Sequence, residues 1–194
     1  MKKIMMVLAV VSGAVGAKAQ TQKNWYLIGG DISRINVDFQ KKRTSFEFQL
    51  TPKAAWFIKD NIAVGGYANL GLATTKGSTT YSYGIGPLGR YYFSDAQVKS
   101  VMKKTRWFAE ANIGISGLNT KTGGVSTNTN GLGYGFGPGL AYFVNQNIAL
   151  EGLLKYNGSV GFGNSTTTNG LGFGLGLQIY LPKSKLKSIA TEVK

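Results

Sequence analysis

Ser126-Thr-Asn-Thr-Asn130-Gly-Leu-Gly-Tyr-Gly-Phe-Gly137 and Ser165-Thr-Thr-Thr-Asn169-Gly-Leu-Gly-Phe-Gly-Leu-Gly176 are two copies of one pattern. A polar run ends at an Asn, and from there glycine takes every second position while large apolar residues take the others. A period of two is the period of a β-strand. Such a strand coats one face with Leu, Tyr and Phe and leaves the other almost bare, which suits hydrocarbon outside and a crowded lumen inside. The pattern points to a membrane β-barrel.

Alternation and turn signals over the rest of the chain give eight strands, at about 25–39, 44–58, 62–73, 81–93, 106–118, 131–143, 148–158 and 170–181. The second places Phe46, Phe48, Leu50 and Trp56 outward against Glu47, Gln49 and Lys53. The third sets Ile62, Val64, Leu70 and Leu72 against Tyr67 and Asn69, and the seventh sets Ile148, Leu150, Leu154 and Tyr156 against Glu151 and Lys155. Each strand meets the roughly 9–11 residues that a tilted transmembrane strand needs. The expected fold is all-β, an eight-stranded antiparallel up-and-down transmembrane barrel.

The amino terminus supplies a route of export. Lys2-Lys3, the apolar run Ile4–Val11 and the small-x-small site Ala17-Lys18-Ala19 read as a signal peptide over residues 1–19, cut before Gln20. Residues 20–182 then form the barrel and residues 183–194 a basic periplasmic tail. No segment has the roughly 18 consecutive apolar residues of a transmembrane helix. Gly contributes 28 of 194 residues and Pro only 4, the mark of glycine-rich strands rather than of a linker. The sequence contains no Cys and no His, which removes disulfides, thiolate metal sites and Ser-His or Asp-His catalysis. The formal charge of +14 falls to +11 once Lys2, Lys3 and Lys18 are removed, with 19 basic and 8 acidic residues remaining. Its bases fall in separate groups, Lys41-Lys42-Arg43, then Lys99, Lys103, Lys104 and Arg106, then Lys183, Lys185 and Lys187. None forms a stripe interleaved with aromatics, so nucleic acid is not an expected partner.

In an up-and-down barrel with both termini on one side, odd strands start and even strands end at the same rim. Trp25, Trp56, Tyr91, Phe93, Trp107, Tyr142 and Tyr180 fall there and read as an interface aromatic girdle. Ala55-Trp-Phe-Ile-Lys-Asp-Asn-Ile-Ala-Val-Gly-Gly66 aligns with Ala141-Tyr-Phe-Val-Asn-Gln-Asn-Ile-Ala-Leu-Glu-Gly152, each across a tight turn at that rim. Tyr83-Gly-Ile-Gly-Pro87 likewise echoes Tyr134-Gly-Phe-Gly-Pro138. Ala73–Thr80, Asn119–Thr129 and Ser159–Thr168 read as longer external loops, and Ser94–Thr105 as a basic turn in which Val98, Val101 and Met102 form a brief amphipathic helix.

The aromatic turn followed by Asn-Ile-Ala, at Trp56–Ala63 and Tyr142–Ala149, together with Gly86-Pro-Leu-Gly-Arg-Tyr-Tyr-Phe93, resembles the small outer-membrane β-barrel domain family, the eight-stranded, porin-like OmpA/OmpX-type group of Gram-negative envelopes. The resemblance covers Gln20 to Pro182 and implies a cell outer membrane location, insertion by the barrel-assembly machinery and, in general, no enzymatic activity. It carries no catalytic residue to transfer. The terminal pattern Gly174-x-Gly176-x-x-Ile179-x-Leu181 looks like an insertion signal, but a basic tail follows it where the family's barrels usually end on an aromatic.

Parity puts Glu47, Lys53, Arg90, Glu110, Glu151 and Lys155 on the inward face, three acids with three bases, so a lumen charge network is expected. Gly84-Ile-Gly-Pro-Leu-Gly89 spells a dinucleotide loop, yet Arg90-Tyr91-Tyr92-Phe93 continues a strand where a helix would have to open. Asn157-Gly-Ser159 and Asn164-Ser-Thr166 spell sequons of the kind polar stretches contain by chance. Lys41-Lys42-Arg43 could meet lipopolysaccharide phosphates. The reading is a monomeric, non-enzymatic outer-membrane barrel with a structural or surface-interaction role, embedded in outer-membrane lipid, without cofactor, metal or catalytic residue. The alternatives are a small pore for ions or solutes and a soluble periplasmic lipocalin-like binder.

Overall fold

The computed structural model describes residues 21–40, 43–93, 104–162 and 167–186, with the side chains of 34–40, 43 and 44 left out. The leader at 1–19, Lys41-Lys42, the helix expected within 94–105 and the Asn164 sequon lie outside the described residues. Eight strands run β1 Trp25–Gln40, β2 Arg43–Lys59, β3 Ile62–Thr75, β4 Ser78–Tyr92, β5 Thr105–Thr122, β6 Val125–Phe143, β7 Ile148–Gly161 and β8 Thr167–Pro182. They close in chain order, all neighbours antiparallel, with β1 paired to β8. Among the described residues no helix is long and apolar enough to cross a membrane.

Register fixes the barrel's geometry. Stepping from Leu27 through Ala55, Gly65, Leu88, Asn112, Gly135 and Asn157 to Gly170 follows paired residues round the wall. Gly170 lies four residues beyond the Ser33↔Gly174 pair, so the circuit returns to β1 about ten residues above its start. That stagger requires strongly tilted strands, roughly 35–45° from the barrel axis.

Both described glycine copies behave as their period demands. Gly131, Gly133 and Gly135 face inward while Leu132 and Phe136 face out, and Gly172, Gly174 and Gly176 face inward between the exposed Leu171, Phe173, Leu175 and Leu177. Buried apolar residues, among them Leu27, Phe57, Leu88, Tyr92, Phe108, Phe143 and Tyr180, form one cluster inside the end that carries the termini. Away from that cluster the wall is apolar outside and polar or bare inside, the distribution of a membrane barrel rather than a soluble lipocalin-like one.

The expected external loops are strands instead. β3 and β4 continue into 73–80 and turn only at Lys76-Gly77, and β5 and β6 run through 119–129 to a turn at Gly123-Gly124. At the third, β7 reaches Gly161 and β8 begins at Thr167, with residues 163–166 between them outside the described residues. Hydroxyl pairs stitch these polar ribbons: Thr74 to Thr79 at 3.3 Å, Ser78 to Thr122 at 2.9 Å, Thr80 to Thr120 at 3.1 Å and Ser159 to Thr168 at 2.6 Å. Thr is β-branched and suits a strand, so polarity alone misplaces these boundaries. Gly77, Gly123 and Gly124 adopt φ of 86°, 56° and 86°, which lets the ribbons reverse in two residues.

The inward glycines are not equivalent. At Gly137 a Cβ would strike the Leu154 carbonyl of the next strand, whereas at Gly172 the nearest atom is the Asn157 amide nitrogen at 3.4 Å. Gly137→Ala should therefore cost about 1–3 kcal/mol in urea unfolding from bilayers, while Gly172→Ala should be neutral within about 0.5 kcal/mol. Equal effects at the two positions would contradict the register.

Candidate functional site

Closure turns the inward faces of β1, β2, β4, β5, β7 and β8 toward one another, and six charged side chains meet there. Glu110 on β5 is the hub. Its carboxylate accepts from Lys53 Nζ at 3.0 Å to both oxygens, from Lys155 Nζ at 3.0 Å, and from Arg90 Nη2 at 2.6 Å and Nε at 3.1 Å. Arg90 Nη1 also donates to both oxygens of Glu151, at 2.9 and 2.8 Å. Lys53 is further paired with Asp31, whose Oδ1 accepts from Gln178 Nε2 at 3.2 Å. The six charges are three of each sign, Asp31, Glu110 and Glu151 against Lys53, Arg90 and Lys155. All but Lys155 are buried, and Lys155, 14% exposed, marks the upper limit of the cluster.

An aromatic plug closes the terminal end beneath this cluster. Tyr92 OH and Tyr180 OH lie 2.7 Å apart; Tyr180 donates to Glu151 Oε1 at 2.7 Å and Arg90 Nη1 donates to Tyr92 at 2.8 Å. Phe57 and Phe108 flank Tyr92 at centroid distances of 5.6 and 5.5 Å, and Phe143 packs on Tyr180 at 5.0 Å. The Arg90 guanidinium stacks over Phe108, 4.1 Å from its centroid. These rings are buried against one another at the terminal end, and the charged layer above them carries no net charge.

The sequence repeats explain how the plug is set. Asn61, in the β2–β3 turn with φ of 65°, offers its carbonyl to the Tyr92 amide at 2.8 Å, and Asn147, in the β6–β7 turn, offers its carbonyl to the Tyr180 amide at 2.7 Å. Each Asn-Ile-Ala turn therefore fixes one of the two tyrosines that meet at the centre. In the same repeats Trp56 and Tyr142 face outward while Phe57 and Phe143 face in. The Tyr-Gly repeat does a second job at the opposite rim. Tyr83 lies across Gly117 of β5 and donates to Asn130 Oδ1 of β6 at 2.5 Å; Tyr134 lies across Gly158 of β7 and donates to Asn169 Oδ1 of β8 at 2.9 Å. Both pin three strands together and both use the Asn that opens a glycine stretch.

Of the residues expected in the lumen network, Lys53, Arg90, Glu110, Glu151 and Lys155 are brought together. Glu47 is not. It shares their inward face but stands six residues from Lys53, about 20 Å along the strand, and no ion pair involves it among the described residues. Asp31 takes its place as the third acid; it shares the side of Leu27 and Gly29, the signal that could have found it. Among the girdle residues, Trp56, Tyr91, Trp107 and Tyr142 face outward at one level, each 39–49% exposed, and Phe93 sits edge-on to Tyr91 at 5.4 Å. Tyr180 corrects the expectation: it is fully buried, because it stands at the parity of Gly172, Gly174 and Gly176. Trp25 is also turned inward, packed against the core cluster. Sequence reasoning placed Tyr156 outward but missed that it forms a second aromatic level with Tyr81, Tyr83 and Tyr134. From Tyr91 to Tyr83 and Tyr81 on β4 is eight to ten residues, which at a ~3.3 Å rise and ~40° tilt spans about 20–25 Å, the height of an apolar band between interfaces. Gly84–Gly89 lies wholly within β4 and opens no helix, and Asn157 lies within β7, donating to the Lys155 carbonyl at 3.3 Å.

A family model described as outer membrane protein beta-barrel domain matches residues 5–185. No curated protein gives a significant match. Among solved structures the chain is similar to Neisserial surface protein A, with TM-score 0.57 and 15% identity over 82% of this chain and 97% of that one. The N-terminal β-barrel domain of Pseudomonas aeruginosa OprF gives TM-score 0.51 and 13% identity over 82% and 98%. Ail, the attachment invasion locus protein of Yersinia pestis, gives 0.51 and 10% over 82% and 100%. At these identities the likeness is one of fold.

Removing the hub should expose its role. Glu110→Gln keeps the side-chain shape but leaves Lys53, Lys155 and Arg90 facing two carboxylates, so unfolding from bilayers should lose about 3–5 kcal/mol. A loss under 1 kcal/mol would mean that water or ions already screen the cluster.

Proposed function

The chain belongs to the outer membrane protein beta-barrel domain family, which implies an outer-membrane location, and from that premise we propose a non-catalytic barrel with a structural role or a role in contacts at the cell surface. The observation that carries this reading is the closed lumen: the neutral charge cluster lies directly on a plug of Phe57, Tyr92, Phe108, Phe143 and Tyr180, each at most 3% exposed. Eight strands enclose a space that side chains can fill, whereas water-filled porins use about 16–18. The buried carboxylates Glu110 and Glu151 are each engaged by cations and lie beneath Lys155, so neither faces a cleft in which a substrate could be attacked.

The reading extends to the ends of the chain. Residues 1–19 are a leader removed on export, and residues 183–194 are a basic tail on the periplasmic side, where Lys183 N already bonds Asn24 O at 3.1 Å. The barrel is a monomer, inserted by the barrel-assembly machinery. At the opposite end the hydroxyl- and amide-rich ribbons of β5–β6 and β7–β8 extend past the aromatic level and offer the surface for partners. Lys76 and Lys121, both exposed, stand at the ribbon tips on the side where lipopolysaccharide phosphates would be met.

Planar-bilayer recording tests the closed reading against the pore. Purified, folded protein should show no stable steps of porin size. Robust conductance whose ion selectivity changes in Arg90→Ala or Glu151→Ala would replace the structural reading with transport.

A further inference from the structure

Residues 21–24 form a hook that gathers charge at one corner of the terminal rim. Thr21, 4% exposed, donates its hydroxyl to Asn61 Oδ1 at 2.7 Å, and its carbonyl accepts from the Asn61 amide at 2.7 Å. The Lys23 amide donates to Asp60 Oδ1 at 2.7 Å. Asn24, with φ of 70°, then turns the chain into β1; its amide donates to Phe57 O at 2.9 Å and its carbonyl accepts from the Lys183 amide at 3.1 Å. These bonds draw Lys23, Lys59 and Lys183 together from the ends of the neighbouring strands β1, β2 and β8. Strands lie about 4.8 Å apart, so the three share roughly 10 Å, close to the ~8 Å over which physiological salt screens.

All three lysines are exposed, and none has an ion pair among the described residues. Asp60 is the one acid at this corner among the described residues, so three bases stand against one acid, and its Oδ1 already takes the Lys23 amide. Like charges held side by side by backbone hydrogen bonds call for an anion. The wall beside them says which kind. Register sets Leu181, Tyr26 and Trp56 abreast just inside the corner, and Trp56, Ile58 and Ile28 are 49%, 45% and 40% exposed on the outer face. A soluble anion gains nothing from that wall. An anionic amphiphile lays its hydrocarbon on it and brings its charge to the lysines. The other described bases of this rim, Lys104 and Arg106, stand at the start of β5, four strands from β1.

We infer that the corner formed by Lys23, Lys59 and Lys183 beside Trp56 is a binding site for an anionic phospholipid of the leaflet that meets the terminal rim. Its phosphate lies among the three ammonium groups, and its acyl chains lie along Tyr26, Trp56 and Ile58. A head group that carries its own cation, such as phosphocholine, gives back most of that attraction. The inference rests on the membrane placement and is independent of the surface role and of the closed lumen.

The test uses the full barrel in phosphatidylcholine nanodiscs containing a minor fraction of lipid brominated on its acyl chains. Trp107→Phe leaves Trp56 as the reporter of this corner, since Trp25 is turned toward the core. At equal mole fraction, brominated phosphatidylglycerol should quench Trp56 more strongly than brominated phosphatidylcholine. Lys23→Gln, Lys59→Gln and Lys183→Gln should each lower that preference about fivefold, the worth of one cation near an anionic surface, and the triple variant should abolish it. Salt at ~1 M, where the Debye length is about 3 Å, should abolish it with the site unaltered. Lys23→Arg should retain it. Electrophoretic mobility of the unheated protein reports whether each variant is folded. Equal quenching by the two lipids in the folded protein would overturn the inference. So would a preference that survives in the triple variant, which would assign it to Lys104 and Arg106. Displacement of the brominated lipid by an equal concentration of soluble glycerophosphate would make the ligand a free phosphate instead. Quenching by neither lipid would overturn the membrane placement together with the site.

Discussion

Everything inside this barrel is arranged around the requirement that six lumen charges, five of them buried, cancel. A carboxylate or ammonium taken out of water costs several kcal/mol unless it is paired and fully hydrogen-bonded. In a narrow lumen no charge can turn away to solvent. Glu110 meets this constraint by collecting Lys53, Lys155 and Arg90, and Arg90 passes the balance to Glu151 while Lys53 passes it to Asp31. The long side chains need somewhere to lie. Glycine on the inner face of β6 and β8 supplies that space, so the bare face and the charged cluster are two halves of one solution.

The repeats show how a simple hairpin unit is reused for different ends of the molecule. At the terminal rim, Asn61 and Asn147 place Tyr92 and Tyr180 on opposite walls, four strands apart, and the two hydroxyls meet in the middle. At the other rim, Tyr83 and Tyr134 work on the lipid side, two strands apart, each covering a glycine that would otherwise leave a hole. One set closes the lumen and the other ties the wall. Between them the outward surface is continuous hydrocarbon, which the family's location in the outer membrane requires.

Much of this was legible in the sequence because a strand's period is rigid: once glycine and Leu alternate, face and fold class follow. Five of the six lumen charges could be named from parity alone. Parity, however, gives side and not height. Glu47 has the right side and the wrong level, and Asp31 has both. Tyr180 was readable as inward from Gly172, Gly174 and Gly176, but an aromatic at a strand end also suits an interface, and the tertiary contact with Tyr92 decides between them. The external ribbons were misread as loops because Thr, Ser and Asn are equally at home in turns and in exposed strands; cross-strand hydroxyl pairs, which have no signature along the chain, settle their structure.

The central claim, that the cluster is stable because its charges balance, is tested most directly by a double-mutant cycle on Asp31 and Lys53, read as unfolding free energy in bilayers. Asp31→Leu and Lys53→Met each leave the cluster with one net charge, whereas the pair of substitutions leaves two acids and two bases. The account predicts that the double variant is more stable than the sum of the two single losses by at least about 2 kcal/mol. Additive losses would contradict it.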